Sequence, residues 1–167
     1  MSRQVNPHAL GQAPSAQKLR EMILGFQVSQ LIHVAAKLGI ADVLKDGPKS
    51  CDDLAKAVRA HPHALYRLLR MLASLEIFAE HEEGCFSLTP LATALQTDVP
   101  DSVRGMAIMY GEDWLWRPYG ALLHTIQTGE TAFVHVFGTG VYDYLVTGAK
   151  CGCAPTTFVE RHRITLP

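Results

Sequence analysis

Residues 50–90 constrain the fold more than any other stretch, because helix-start signals, helical spacing and a hairpin turn follow one another there almost without a gap. Ser50 followed three residues later by Asp53 is a helix-start box, in which hydroxyl and carboxylate can satisfy first-turn amides that have no partner inside the helix. Pro62 after His61 marks a second start, since proline at the first helical position gives up no hydrogen bond. Leu65, Leu68, Leu69, Leu72 and Leu75 then recur at helical spacing. Two short runs follow, Ile77, Phe78, Ala79 and then Cys85, Phe86, Ser87, Leu88, separated by the polar turn Glu82, Glu83, Gly84. Helix, helix and hairpin in this order predict a winged helix: a mainly α fold with a small β-wing and additional long helices on either side.

Winged helices read DNA or serve as packing and dimerisation modules, and charge separates the two uses. Over residues 50–90 the basic side chains are Lys56, Arg59, Arg67 and Arg70, against Asp52, Asp53, Glu76, Glu80, Glu82 and Glu83. A duplex reader needs cations to displace counterions from phosphates and polar side chains early in its second helix to meet base edges. This second helix offers mostly leucine, and the wing is acidic, so nucleic acid is a disfavoured partner. The whole chain of 167 residues, 48% hydrophobic and 19% charged with a net charge of -1, suits one soluble globular domain and argues against a general polyanion binder. No run approaches the roughly 20 apolar residues of a membrane span, and residues 1–15 lack the apolar core of a secretion signal. No membrane partner and a cytoplasmic location are expected.

Four cysteines, Cys51, Cys85, Cys151 and Cys153, then read as reduced thiols rather than a disulfide framework. Cys151 and Cys153 form C-x-C without a second close pair or a histidine pair after it, so no metal site is expected.

From Ser15 a long helix is predicted to about Lys37. Leu19, Met22, Ile23, Leu24, Phe26, Val28, Leu31, Ile32, Val34 and Ala35 are too many apolar residues for one stripe. The helix is either buried centrally in its own protomer or covered by a second copy of the chain. The second is the more economical way for a small domain to bury a patch symmetrically. A homodimer is therefore expected, with Leu19, Met22, Ile23, Phe26, Leu31 and Ile32 at its interface. His33 within this helix reads as a hydrogen-bonded core or interface residue.

Beyond the wing, Thr89 and Pro90 start a short helix, Asp101 is placed to cap another, and Asp113 precedes a single helical stretch through Gly129. Leu115, Leu122, Leu123 and Ile126 form its apolar side, and Trp114, Trp116 and Tyr119 cluster near its start, where core packing is the default for such aromatics. The functional alternative is a pocket wall for a flat aromatic substrate, built from Met106, Met109, Tyr110, Trp114 and Trp116. Gly129, Gly138 and Gly140 read as turns, because the glycine spacing of a dinucleotide loop between strand and helix is missing. His124 and His135 have no nearby nucleophile or orienting carboxylate in sequence, and no catalytic residue is assigned.

The ordered set LIHVAAKLGIADVL, DDLAKAV, LYRLLRMLASLEIF, FSLTPLATAL, Trp116 with its following helix, and GETAFVHVFGTGVYDYL resembles the N-terminal half of S-adenosylmethionine-dependent O-methyltransferases. Those enzymes, of the hydroxyneurosporene, polyketide and plant type, modify small aromatic or polyketide hydroxyls. The resemblance covers residues 17–145. It implies a winged-helix dimerisation domain whose helices interlock between protomers and roof the substrate pocket. From about Val146 the pattern departs from the family, which continues into a Rossmann-like domain with a glycine-rich donor loop and a histidine base. No role is transferred to His162. The expectation is a domain at 15–145, an aberrant or disordered tail at 146–167, no cofactor on this chain, and no methyl transfer by it alone. Two other readings stand beside this one. They are a winged-helix transcription regulator with a helical effector domain, and a regulatory subunit that pairs with a full-length methyltransferase.

Overall fold

A computed structural model describes residues 14–82 and 84–150. Glu83 of the turn, and Cys151, Cys153 and His162 of the expected tail, lie outside the described residues.

The helix α1, Pro14–Leu38, carries the long apolar stretch and ends where Gly39 turns left-handed (φ 68°) into the single turn α2, Ile40–Val43. A two-residue strand β1, Lys49–Ser50, leads into α3, Cys51–Val58. Ser50 forms the expected start: its hydroxyl accepts from the Asp53 amide at 3.1 Å and donates to the Asp53 carboxylate at 2.8 Å. The carboxylate thus grips the capping hydroxyl. Together with the Lys56 ammonium, this holds the Asp53 carboxyl below its usual range. The helix α4, Pro62–Ser74, begins at the proline, and the wing is β2, Phe78–Glu80, and β3, Cys85–Leu88.

Pairing is antiparallel throughout in the order β1-β3-β2, with Phe78 opposite Leu88, Glu80 opposite Phe86 and Lys49 opposite Phe86. The third strand β1 escapes sequence reading because two residues show no alternation. Gly84 at φ 85° closes the hairpin, and its carbonyl accepts from the Cys51 amide, which ties the wing to α3. The core lies between the C-terminal part of α1, α2, α3, α4 and the wing. Ile40, Leu44, Leu54, Leu69, Leu72, Phe78 and Phe86 are fully buried there. Burial pushes the Cys51 thiol up, with help from Asp52 and Glu80, and the thiol faces the Pro62 carbonyl at 3.5 Å.

After the wing, Thr89 starts α5, Pro90–Thr93, by accepting from the Ala92 amide and donating to the Ile77 carbonyl. Asp101 does not cap the next helix. The Val103 amide is held by the Ala94 carbonyl at 2.8 Å, which delays the start of α6 to Arg104–Gly111. α6 packs along α1, fixed by Arg104 Nε donating to the Ala36 carbonyl and by Lys37 paired with Glu112 at 2.7 Å.

The single stretch expected from Asp113 to Gly129 is broken into α7, Asp113–Gly120, and α8, Leu122–Thr128. Pro118 has no amide to give the turn before it, and after Gly120 closes α7 the chain leaves the helix at Ala121. Two further helices, to which the sequence gives no assignment, flank Gly138 and Gly140: α9, Ala132–Phe137, and α10, Val141–Lys150. The glycine reading itself is sound: Gly129 and Gly138 are left-handed C-caps of α8 and α9. α10 runs past Leu145, where the domain was expected to end. No helix among the described residues is long and apolar enough to cross a membrane.

Candidate functional site

α1 changes character along its length. Its C-terminal part is covered, whereas Leu19, Met22, Ile23, Leu24 and Phe26 stand in solvent, Met22 at 68% and Phe26 at 54%. Of the six residues expected at a dimer interface, four lie on this bare half. The other two, Leu31 and Ile32, pack against the chain's own core and are only partly accessible. Further along, His33 is 7% exposed, and its Nδ1–H donates to the Ile108 carbonyl at 2.9 Å, the hydrogen-bonded core role expected for it. Gly111 lies directly under the His33 ring, so close that a β-carbon there would overlap the imidazole.

Where the bare half of α1 passes the later helices, a groove of about 1020 Å³ opens. Phe26 and Ser29 of α1 form one wall, Tyr110 of α6 and Trp116 and Tyr119 of α7 another, and His135 and Val136 of α9 the end. Tyr110 and Trp116 are therefore brought together as the sequence suggested. Met106 is exposed on α6, Met109 is buried, and Trp114 is half-buried away from the groove lining. Core packing does not describe the α7 aromatics either: no residue of α7 or α8 is fully buried.

Arg117 braces the groove floor. It pairs with Asp113 at 3.3 Å and lies 5.0 Å over the Phe137 ring, which belongs to an aromatic triangle with Phe133 and Tyr144. That triangle, on two helices the sequence did not announce, gives this half its local stability through ring contacts and a cation–π contact. An aromatic groove with a few polar edges suits a flat aromatic molecule held by stacking and oriented by hydrogen bonds.

His124 does have an orienting carboxylate. Its Nε2–H donates to Glu130 at 2.8 Å, across the turn that Gly129 makes, and its ring stacks on His135 with centroids 3.8 Å apart. Sequence reading missed this because the turn folds α8 back onto α9 and brings positions six and eleven residues after His124 up against its ring. On the opposite side, Arg70 lies over the Tyr66 ring and 3.7 Å from Glu80, so one of the two arginines a duplex would need is engaged with the acidic wing.

Comparison with known proteins accords with this geometry. Residues 20–98 match the O-methyltransferase dimerisation domain. The chain is 47% identical over 135 residues to a phenazine O-methyltransferase, PhzM, of Lysobacter antibioticus, a match covering 81% of this chain and 39% of that enzyme. It is 34% identical over 131 residues to an 8-amino-8-demethylriboflavin N,N-dimethyltransferase of Streptomyces davaonensis, covering 78% of this chain and 38% of that one. The solved structure of LaPhzM superposes with a TM-score of 0.78 at 44% identity, over 84% of this chain and 42% of that chain. The chain thus spans about two fifths of the length of the curated relatives it matches. These relatives are methyltransferases, not transcription regulators.

Proposed function

Starting from a chain that matches the N-terminal region of S-adenosylmethionine-dependent O-methyltransferases, with their dimerisation domain at residues 20–98, we propose that it pairs two protomers and roofs the pocket for a small, flat aromatic substrate. The observation that carries this reading is the bare half of α1, a contiguous apolar face continuous with the aromatic groove. An exposed apolar surface of this kind is stabilised when a second copy covers it, and a two-fold pairing does so for both chains at once. Phe26 belongs to both features, so pairing and substrate enclosure are coupled through it. The names of the relatives, a phenazine and a flavin methyltransferase, favour a fused-ring aromatic as the guest.

The methyl donor supplies the transferred group in such enzymes. The described residues do not fit it: their sheet has three short antiparallel strands, and Gly138 and Gly140 lie between α9 and α10 rather than after a strand. The contribution of this chain is positioning and exclusion of water, which in methyl transfer to a hydroxyl are a large share of the work.

Sedimentation equilibrium on the 167-residue chain tests the pairing. A mass of two chains is expected, falling to one in Met22→Asp/Phe26→Asp, with the far-ultraviolet dichroism retained. A monomeric wild type refutes the homodimer. Co-expression with a full-length methyltransferase then shows whether that enzyme is the partner instead. Incubation with S-adenosylmethionine and a hydroxyphenazine is expected to give no methylated product, and product formation would refute the assignment of a positioning role alone.

A further inference from the structure

We propose that His124, Glu130 and His135 form a binding site for one divalent transition metal of the zinc type at the corner between α8 and α9. The three side chains present two imidazole nitrogens and a carboxylate oxygen, and these ligand atoms all lie within 4.8 Å of one another. That donor set matches borderline metals rather than magnesium or calcium, which prefer oxygen alone. Two histidines and one glutamate are also a known number and type of protein ligands for zinc with one coordination position left to water or an anionic oxygen.

The corner is built to hold these groups together. Gly129 takes the left-handed conformation that reverses the chain, the Glu130 amide is held by Thr128 Oγ1 at 3.1 Å, and Thr131 caps α9. The His124 Nε2–H and the Glu130 carboxylate lie 2.8 Å apart and the His135 ring lies face to face with that of His124; an ion bound here takes the place of that shared proton, which is released to solvent. Tetrahedral coordination at zinc distances needs ligand atoms roughly 3.3 Å apart. The approach from the present spacing is a side-chain rotation, which the exposed Glu130 and His135 can make without moving a helix. His135 also lines the aromatic groove, so an ion held here would sit at the groove's edge and fix α8 to α9. This inference stands apart from the proposed function and holds for a monomer as well as a dimer.

Cobalt(II) is the probe, titrated into the 167-residue chain carrying Cys151→Ser and Cys153→Ser so that tail thiols do not compete. One ion per chain is expected, with visible d–d absorption and no thiolate charge-transfer band, and zinc should displace it. His124→Ala and His135→Ala should each weaken binding by at least about tenfold, with metal-free dichroism unchanged. Glu130→Gln should also weaken binding. It alters only an exposed carboxylate, so it decides the question even if a histidine variant unfolds. Absence of stoichiometric binding, or affinity unchanged in Glu130→Gln or in either folded histidine variant, overturns the site. Loss of binding on replacing His61 and His63 instead would overturn it equally.

Discussion

Phe86 and Ile126 are both large apolar side chains of one small protein, yet Phe86 has no accessible surface while Ile126 is 76% exposed. The difference is regional. In the winged helix the sheet and α2 to α4 close around one another, and seven large side chains lose contact with water entirely. In α7 and α8 no residue is fully buried, and Leu122, Leu123 and Ile126 face outward. Apolar content is similar, but one region completes its core within the chain and the other leaves large apolar side chains exposed. Burial at roughly 25 cal/mol per Å² stabilises only the area removed from water, so the first region contributes most of the fold's stability and the second contributes little on its own. α1 joins the two, with its covered end in the first and its bare end beside the groove.

The contrast breaks most easily at the core. Phe86→Ala is expected to destabilise by about 3–5 kcal/mol in urea unfolding followed by dichroism, since it leaves a cavity under the wing. A loss below about 1 kcal/mol would show that the wing is not the centre of the fold. Gly111→Ala comes next, at about 1–3 kcal/mol, because the added methyl meets the His33 ring where α1 and α6 touch. The same substitution made together with His33→Ala should lose less than the sum of the two single changes, and additivity would sever that contact.

Ser50→Ala removes the α3 cap and should lower stability by about 1 kcal/mol near neutral pH. Part of that deficit depends on pH. The Asp53 carboxyl is depressed in the folded chain, first by the Ser50 hydroxyl and then by Lys56, so its contribution is complete above the unfolded carboxylate value of about 3.9. It fades as pH falls through the lower folded value, and the gap between wild type and Ser50→Ala should narrow over the same descent. The smallest effect sharpens the comparison from the other side. Ile126→Ser should change unfolding stability by less than about 0.5 kcal/mol in the isolated chain. A core-sized loss there would mean that the second region is closed after all.

Local signals made the winged helix legible: a cap at Ser50, a proline at position 62, leucines at helical spacing and a polar turn with Gly84. Each acts within a few residues of itself, and the structure has each in place. The second region was less legible for the same reason. Pro118 breaks the stretch, and Thr131 caps α9 between two glycines that mark turns, single residues inside otherwise helical spacing. Tyr110 and Trp116 line the same groove, since large aromatics on neighbouring helices converge readily. Met106 and Trp114 were not separable from them without knowing which face α1 would take.

The amino-acid order alone determined that this chain makes a winged helix with an acidic wing and an apolar first helix too rich for one stripe, because caps, periodicity and charge act over one or two turns. Which half of α1 stays bare, the groove between Phe26 and Trp116, and the meeting of His124, Glu130 and His135 were decided by tertiary structure alone. These depend on how helices of fixed length cross and where Gly129 reverses the chain, and such distances between remote residues are set by packing rather than by any neighbouring residue.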